Sequence, residues 1–183
     1  MKYFRLIRLS VWIAAIGVFV LIAADYFSLD GYGRHQYAAG QASPWFSRMY
    51  SASNYELITG EPTYFRIHKF PTAFNLKVPI SFDDARIKIF FKADDLESFQ
   101  FGVIENQGKS DFRLREILID SPGQWHEQTV EIDLTDAYRD PKEGYGFVFL
   151  AGGGDLNVAR LEIELVRDNL WKTLKNKLKT APN

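Results

Sequence analysis

The stretch Leu161-Glu162-Ile163-Glu164-Leu165 decides the fold class, because apolar and charged residues alternate in it one by one. The same alternation is present in Val130-Glu131-Ile132-Asp133-Leu134. Successive side chains of an extended strand point to opposite faces, so a period of two predicts one buried face and one solvated face. Both stretches are therefore predicted to be half-buried β-strands.

Similar runs fill the chain after Glu61, and turn signals such as Pro122-Gly123 and Gly152-Gly153-Gly154 separate them. Residues 147–150 are apolar on both parities, which is typical of a central strand. We predict strands near residues 62–70, 74–81, 86–92, 99–105, 112–119, 125–134, 145–151 and 158–166. About eight short strands with no helix between them are typical of an all-β antiparallel sandwich or jelly roll, which we place at residues 61–166.

Composition excludes several function classes. The 183 residues suit one domain with attachments, and the absence of Cys excludes disulfide scaffolds, Cys-ligated metals and thiol catalysis. Residues 25–166 carry 14 positive and 22 negative side chains. Since nucleic-acid-binding domains present a basic face, this acidic middle argues against a nucleic-acid partner.

The N-terminus has the pattern of a membrane anchor. Residues 9–24 contain no charge, and three basic residues precede them within a short segment, 1–8. We predict a transmembrane helix over residues 9–27, with Trp12, Tyr26 and Phe27 in contact with lipid at the interfaces. The positive-inside rule then places the N-terminus in the cytoplasm and the domain outside, in the periplasm or the extracellular space.

A cleaved secretory signal shares this basic and apolar pattern and stays the alternative. Cleavage requires small residues three and one positions before the cut. Ile22 and Leu21 occupy the position three before the candidate cuts at Ala24 and Ala23, and both are bulky. These residues favour an uncleaved anchor.

Two further segments flank the predicted sandwich. Residues 28–60 are rich in Gly, Ser, Ala and aromatic residues, and we interpret them as a spacer. Residues 167–183 carry five basic side chains and one acidic side chain. Within them an amphipathic helix is predicted, whose apolar face contacts lipid, a partner or the sandwich itself through Leu170, Trp171, Leu174 and Leu178.

Catalytic and metal-binding patterns are missing from the sequence. His35, His68 and His126 lie in separate segments, so no metal site, catalytic residue or cofactor is predicted. The paired carboxylates of the strands 125–134 and 158–166 fit a glycosidase acid–base pair, but a solvated outer face explains them more simply. The acidic run at residues 94–97 is a weak calcium candidate because the EF-hand pattern is absent.

A set of six polar residues is predicted to line a ligand-binding groove beside Tyr64 and Phe90. The groove requires four strands to stack in one sheet, and the alternative is an ordinary solvated sheet face. Guanidinium and amide groups of this kind bind carboxylates and sugar hydroxyls. The candidate residues are Arg66, His68, Lys88, Gln100, Arg113 and Arg115.

Residues 121–166 resemble the galactose-binding-like jelly rolls of carbohydrate-binding modules. The resemblance rests on Ser121-Pro122-Gly123-Gln124-Trp125, on the two alternating strands quoted above, and on Tyr145-Gly146-Phe147-Val148-Phe149. The resemblance implies a non-catalytic module that binds envelope glycan or another carbohydrate, and the predicted anchor would make it a membrane-anchored one outside the cytoplasm. The alternative, which the spacer and the basic tail favour, is an accessory or structural subunit of a membrane protein complex.

Overall fold

Strands make up most of the chain in this computed structural model, which describes residues 8, 10–20, 31–106 and 111–167. Residues 33–167 form one compact unit. The strands are β1 Tyr32–Ala38, β2 Tyr55–Ile58, β3 Tyr64–Ile67, β4 Thr72–Leu76, β5 Asp84–Ala93, β6 Ser98–Ile104, β7 Phe112–Leu118, β8 Trp125–Asp133, β9 Arg139–Asp140, β10 Gly144–Leu150 and β11 Leu156–Val166. A short 3-10 helix, Ala52–Asn54, precedes β2.

The strands form two antiparallel sheets packed as a sandwich, which confirms the predicted all-β class. The six-stranded sheet has the order β2-β3-β11-β5-β8, and β1 also pairs with β11. The five-stranded sheet has the order β4-β10-β6-β7, and β9 also pairs with β10. All eight predicted strands are present with shifted ends, and β10 is central and buried as its apolar sequence indicates.

Aromatic side chains fill the space between the sheets. Phe74 is fully buried, and its ring lies within 5.6–6.4 Å of five other rings. Those rings belong to Tyr37, Phe46, Phe101, Phe147 and Phe149. Phe74 therefore lies at the centre of an aromatic cluster in the core between the two sheets.

The structure moves the predicted start of the sandwich. Residues 28–60 are predicted to be a spacer, but β1 and β2 within that range belong to the six-stranded sheet. Tyr37, Phe46 and Met49 are buried in the shared core. β1 contains a Gly and several polar residues, and β2 has only four residues, so neither shows a clear period of two in the sequence.

Residues 10–20 are helical, and Trp12 is 65% exposed in this helix. Among the residues that the structure describes, no helix has the length and apolar character needed to cross a membrane. Residues 21–27 of the predicted transmembrane helix, with Tyr26 and Phe27, lie outside the described residues. The predicted tail helix, with Leu170, Trp171, Leu174 and Leu178, also lies outside them.

Candidate functional site

The outer face of the six-stranded sheet carries three aromatic rings in one row, which we call the aromatic patch: Tyr64, Phe90 and Trp125. The rings of Phe90 and Trp125 are stacked, with centroids 5.0 Å apart and planes 19° apart. Tyr64 meets Trp125 edge to face, at 5.6 Å. All three side chains are half-buried, so part of each ring is accessible from solvent.

Strand register explains why these rings lie on one face. Trp125 is the direct cross-strand partner of Lys92, and Phe90 is the partner of Glu127. Cross-strand partners share a face, and so do residues two apart on one strand. The inward face of β5 is occupied by the buried Ile87, Ile89 and Phe91, so Phe90 faces outward.

Charged side chains surround the aromatic patch, and they are paired. The guanidinium of Arg160 lies 5.6 Å from the Phe90 ring centroid, a cation–π distance. Glu127 accepts a hydrogen bond from Arg160, at 3.4 Å, and forms an ion pair with Lys88, at 3.2 Å. Lys92 Nζ lies 3.3 Å from the Asp94 carboxylate.

Arg66 lies beside Tyr64 at the far end of the patch. Its guanidinium is 3.0 Å from the Glu56 carboxylate and 4.0 Å from that of Asp155. A side-chain hydrogen bond with Tyr64 is the main factor that raises the pKa of Arg66. The Arg66 guanidinium is thus held in place beside the outermost ring.

A groove of about 520 Å³ adjoins the aromatic patch. Phe90 and Arg160 form one wall of the groove. Leu57 of β2 lines it as well, together with Gln41 after β1 and Thr63 before β3. This volume falls within the range of sites for small molecules. The patch and the groove together offer stacking surfaces next to hydrogen-bonding groups.

The structure divides the six predicted groove residues among different surfaces. Arg66 and Lys88 do lie on the outer face that carries Tyr64 and Phe90. His68 follows the end of β3, and its ring Nε2 lies 3.2 Å from the Ser53 carbonyl oxygen.

The premise that all four strands share one sheet is wrong. β6 and β7, which carry Gln100, Arg113 and Arg115, belong to the five-stranded sheet. Gln100 is the partner of Glu116, so it faces the opposite way from both arginines of β7. Arg113 binds Glu105, at 2.7 Å, and the Asp133 carbonyl oxygen, at 2.9 Å. Sequence alternation assigns a face to each residue but does not say which sheet a strand joins.

Trp125, Arg160 and Asn157 are residues of this face that the groove prediction missed. Trp125 belongs to the passage of residues 121–125 that carries the resemblance to galactose-binding-like jelly rolls, and nothing in that passage marks it as a ligand contact. Arg160 and Asn157 precede the clear alternation of residues 161–165. A register shift between Val158 and Arg160 reverses which parity faces outward, and no residue type in the sequence marks that shift.

The paired carboxylates lie on solvated strand faces and bind arginines. Glu131 pairs with Arg86, at 3.2 Å, and Glu162 pairs with Arg34 and Arg160, both at 3.4 Å. Hydrogen bonds from Thr135 lower the pKa of Asp133, with a further contribution from Arg113. A glycosidase general acid needs a raised pKa, which is the opposite direction.

Metal binding has no support within the described ranges. No group of three or more His, Asp or Glu side chains there is placed to hold a metal ion. The predicted calcium candidate at residues 94–97 falls within those ranges and forms no such group.

Comparisons with known proteins add likenesses of architecture. No family model matches the chain, and no curated protein matches it. A family 29 carbohydrate-binding module from Piromyces equi is similar with a TM-score of 0.49 and 9% identity, over 76% of this chain and 93% of that one. A carbohydrate-binding module of Cellvibrio mixtus lichenase 5A, in complex with cellotriose, has a TM-score of 0.43 and 16% identity, over 70% of this chain and 95% of that one.

An enzyme is also among the similar structures. The isomalto-dextranase of Arthrobacter globiformis, complexed with panose, has a TM-score of 0.44 and 11% identity. The match covers 72% of this chain and 23% of that one. At these TM-scores and identities, the function has to be argued from the residues of this chain.

Proposed function

We propose that this chain is a non-catalytic glycan-binding module, and that its ligand stacks on the aromatic patch. The observation that carries the proposal is the continuous row of Tyr64, Trp125 and Phe90 on the outer face of a β-sheet. Contiguous apolar surface that reaches solvent is a common feature of ligand-binding sites, and these three adjoining rings are each partly accessible. The galactose-binding-like jelly roll expected from the sequence is part of this proposal.

The chemistry of the patch suits sugars. A pyranose presents apolar C–H groups on its ring faces and hydroxyls around its rim, so it fits a surface with aromatic faces next to charged hydrogen-bonding groups. Arg160 and Glu127 lie directly beside Phe90 and supply a donor and an acceptor. The adjoining groove extends the surface beyond a single sugar, which favours a chain rather than a monosaccharide.

Ion pairing around the patch favours a neutral glycan. Arg66, Lys88, Lys92 and Arg160 each have a carboxylate within 3.0–3.4 Å. A polyanionic glycan would have to displace these carboxylates, whereas a hydroxyl group can bind to a paired cation and its carboxylate together. We therefore propose a neutral polysaccharide as the ligand class.

Trp125→Ala is expected to lower affinity for the glycan about 30-fold or more, because a central aromatic side chain of a binding surface is typically worth at least about 2 kcal/mol. Titration calorimetry on the full chain in mild detergent measures this, after a panel of soluble neutral polysaccharides and an anionic polygalacturonate has been screened.

Tyr50→Ala is the matched control, since this tyrosine is 42% exposed and bonds to Asn75 beside the five-stranded sheet. The control should bind like the unmodified chain. Loss of binding in Tyr50→Ala with full binding in Trp125→Ala would move the site to the other sheet. Binding to polygalacturonate alone would overturn the neutral class.

We further propose that an N-terminal anchor holds the module outside the cytoplasm, where envelope glycans are found. Support comes from the sequence: Lys2, Arg5 and Arg8 precede the apolar run, and Asp25 and Asp30 follow it. Protease added to spheroplasts is expected to digest the domain, as it would any domain outside the membrane. Digestion only after detergent lysis would reverse the proposed orientation.

A further inference from the structure

Asn157 has a side-chain environment that packing alone does not explain. It is 4% exposed, and its Oδ1 is buried without a hydrogen-bond partner. A buried acceptor left unpaired typically costs about 1–3 kcal/mol. Such atoms are few in folded proteins, and each needs a specific reason to persist.

Register places Asn157 within the aromatic patch. On β11 it is the direct partner of Arg66 on one side and of Lys92 on the other, and Lys92 is the partner of Trp125. These four residues form one transverse row across the outer face. Asn157 is near the centre of the proposed glycan site, on the same side as its rings.

The rings of Tyr64 and Trp125 meet above the strands that separate them, and one of those strands carries Asn157. Their strands, β3 and β8, are separated by β11 and β5, which is three strand spacings of about 4.8 Å. The two ring centroids are nevertheless 5.6 Å apart. Both side chains must therefore lean inward over the two middle strands, and Asn157 lies on one of them.

Neighbouring donors leave the oxygen unpaired. Arg66 directs its guanidinium to Glu56, at 3.0 Å, and Lys92 directs its ammonium to Asp94, at 3.3 Å. Two cationic side chains thus flank the amide in its own row while their charged ends bind carboxylates. Because both charged groups already bind carboxylates, the Asn157 oxygen is left to accept a hydrogen bond from a bound ligand.

We propose that Asn157 Oδ1 is a ligand contact covered by the Trp125 ring, and that a sugar hydroxyl donates to it when the indole shifts to stack on the glycan. This inference rests on the proposed function and adds a residue that determines specificity. A glycan that directs a hydroxyl at this oxygen gains the bond, and a glycan without such a hydroxyl leaves the oxygen unpaired. Binding thus supplies the partner that the free protein lacks.

Asn157→Leu, close to Asn in shape and without the acceptor, tests the proposal in the full chain. The glycan identified in the polysaccharide screen is expected to bind about three- to tenfold more weakly, the usual worth of one hydrogen bond. The melting temperature should rise at the same time, because the unpaired acceptor is gone. If Asn157 only stabilises the fold, Asn157→Leu should instead lower the melting temperature and leave the affinity for the glycan unchanged.

Asn157→Asp keeps an acceptor oxygen, so it should lose less affinity for the glycan than Asn157→Leu. This second variant still tests the proposed hydrogen bond if Asn157→Leu folds poorly. Leu118 is exposed on β7 of the other sheet, so Leu118→Ala should bind the glycan like the unmodified chain and serves as the control. Equal affinity of Asn157→Leu and the unmodified chain, with Trp125→Ala impaired, overturns this inference and leaves the proposed function intact. Absence of binding to every polysaccharide by the unmodified chain overturns both.

Discussion

A chain shortened to begin at residue 61 is expected to be unfolded. The truncation removes β1 and β2 and, with them, the buried side chains of Tyr37, Phe46 and Met49. Each large buried side chain contributes about 1.5–3 kcal/mol, so the loss approaches the whole stability of an ordinary domain, about 5–15 kcal/mol. Circular dichroism in the near ultraviolet and the dispersion of amide NMR signals measure the result.

A chain that begins at residue 31 is the matched control for this truncation. It keeps β1 and the compact unit of residues 33–167, so it should retain dispersed signals and a cooperative melt. If the chain from residue 61 melts cooperatively at the same temperature, then β1 and β2 are dispensable, and the predicted spacer boundary would be restored.

Phe74→Ala is expected to lower the free energy of unfolding by about 3–5 kcal/mol, the usual cost of removing a buried Phe side chain. Phe74 is fully buried among five other rings, so the surrounding side chains cannot all collapse into the space it leaves. Urea denaturation measures the change, provided that the slope against denaturant is the same in both proteins.

Two further variants serve as comparisons for the Phe74→Ala measurement. Phe74→Leu keeps much of the volume and should cost less, whereas the exposed Leu118→Ala should stay within about 0.5 kcal/mol of the unmodified chain. A loss below 1 kcal/mol for Phe74→Ala would mean that the aromatic core is more adaptable than its packing indicates.

The candidate site was only partly accessible to sequence reasoning. Arg66 and Lys88 share the outer face with Tyr64 and Phe90, because alternation within a strand assigns each residue to a face. Gln100, Arg113 and Arg115 were grouped with them wrongly, because the partners of a strand are set by contacts between distant segments.

The sequence by itself determined the all-β class, the eight main strands and the inward residues of the clearly alternating stretches, because a period of two reports local backbone geometry and burial. Only the tertiary structure decided that β1 and β2 join the six-stranded sheet, and that Trp125 meets Tyr64 across two intervening strands. It also decided the position of Asn157, since the register shift after Val158 turns this residue to the outer face. The bulge and the strand order depend on pairing between segments that are distant in the sequence. A local residue pattern does not indicate which distant strand will be the partner.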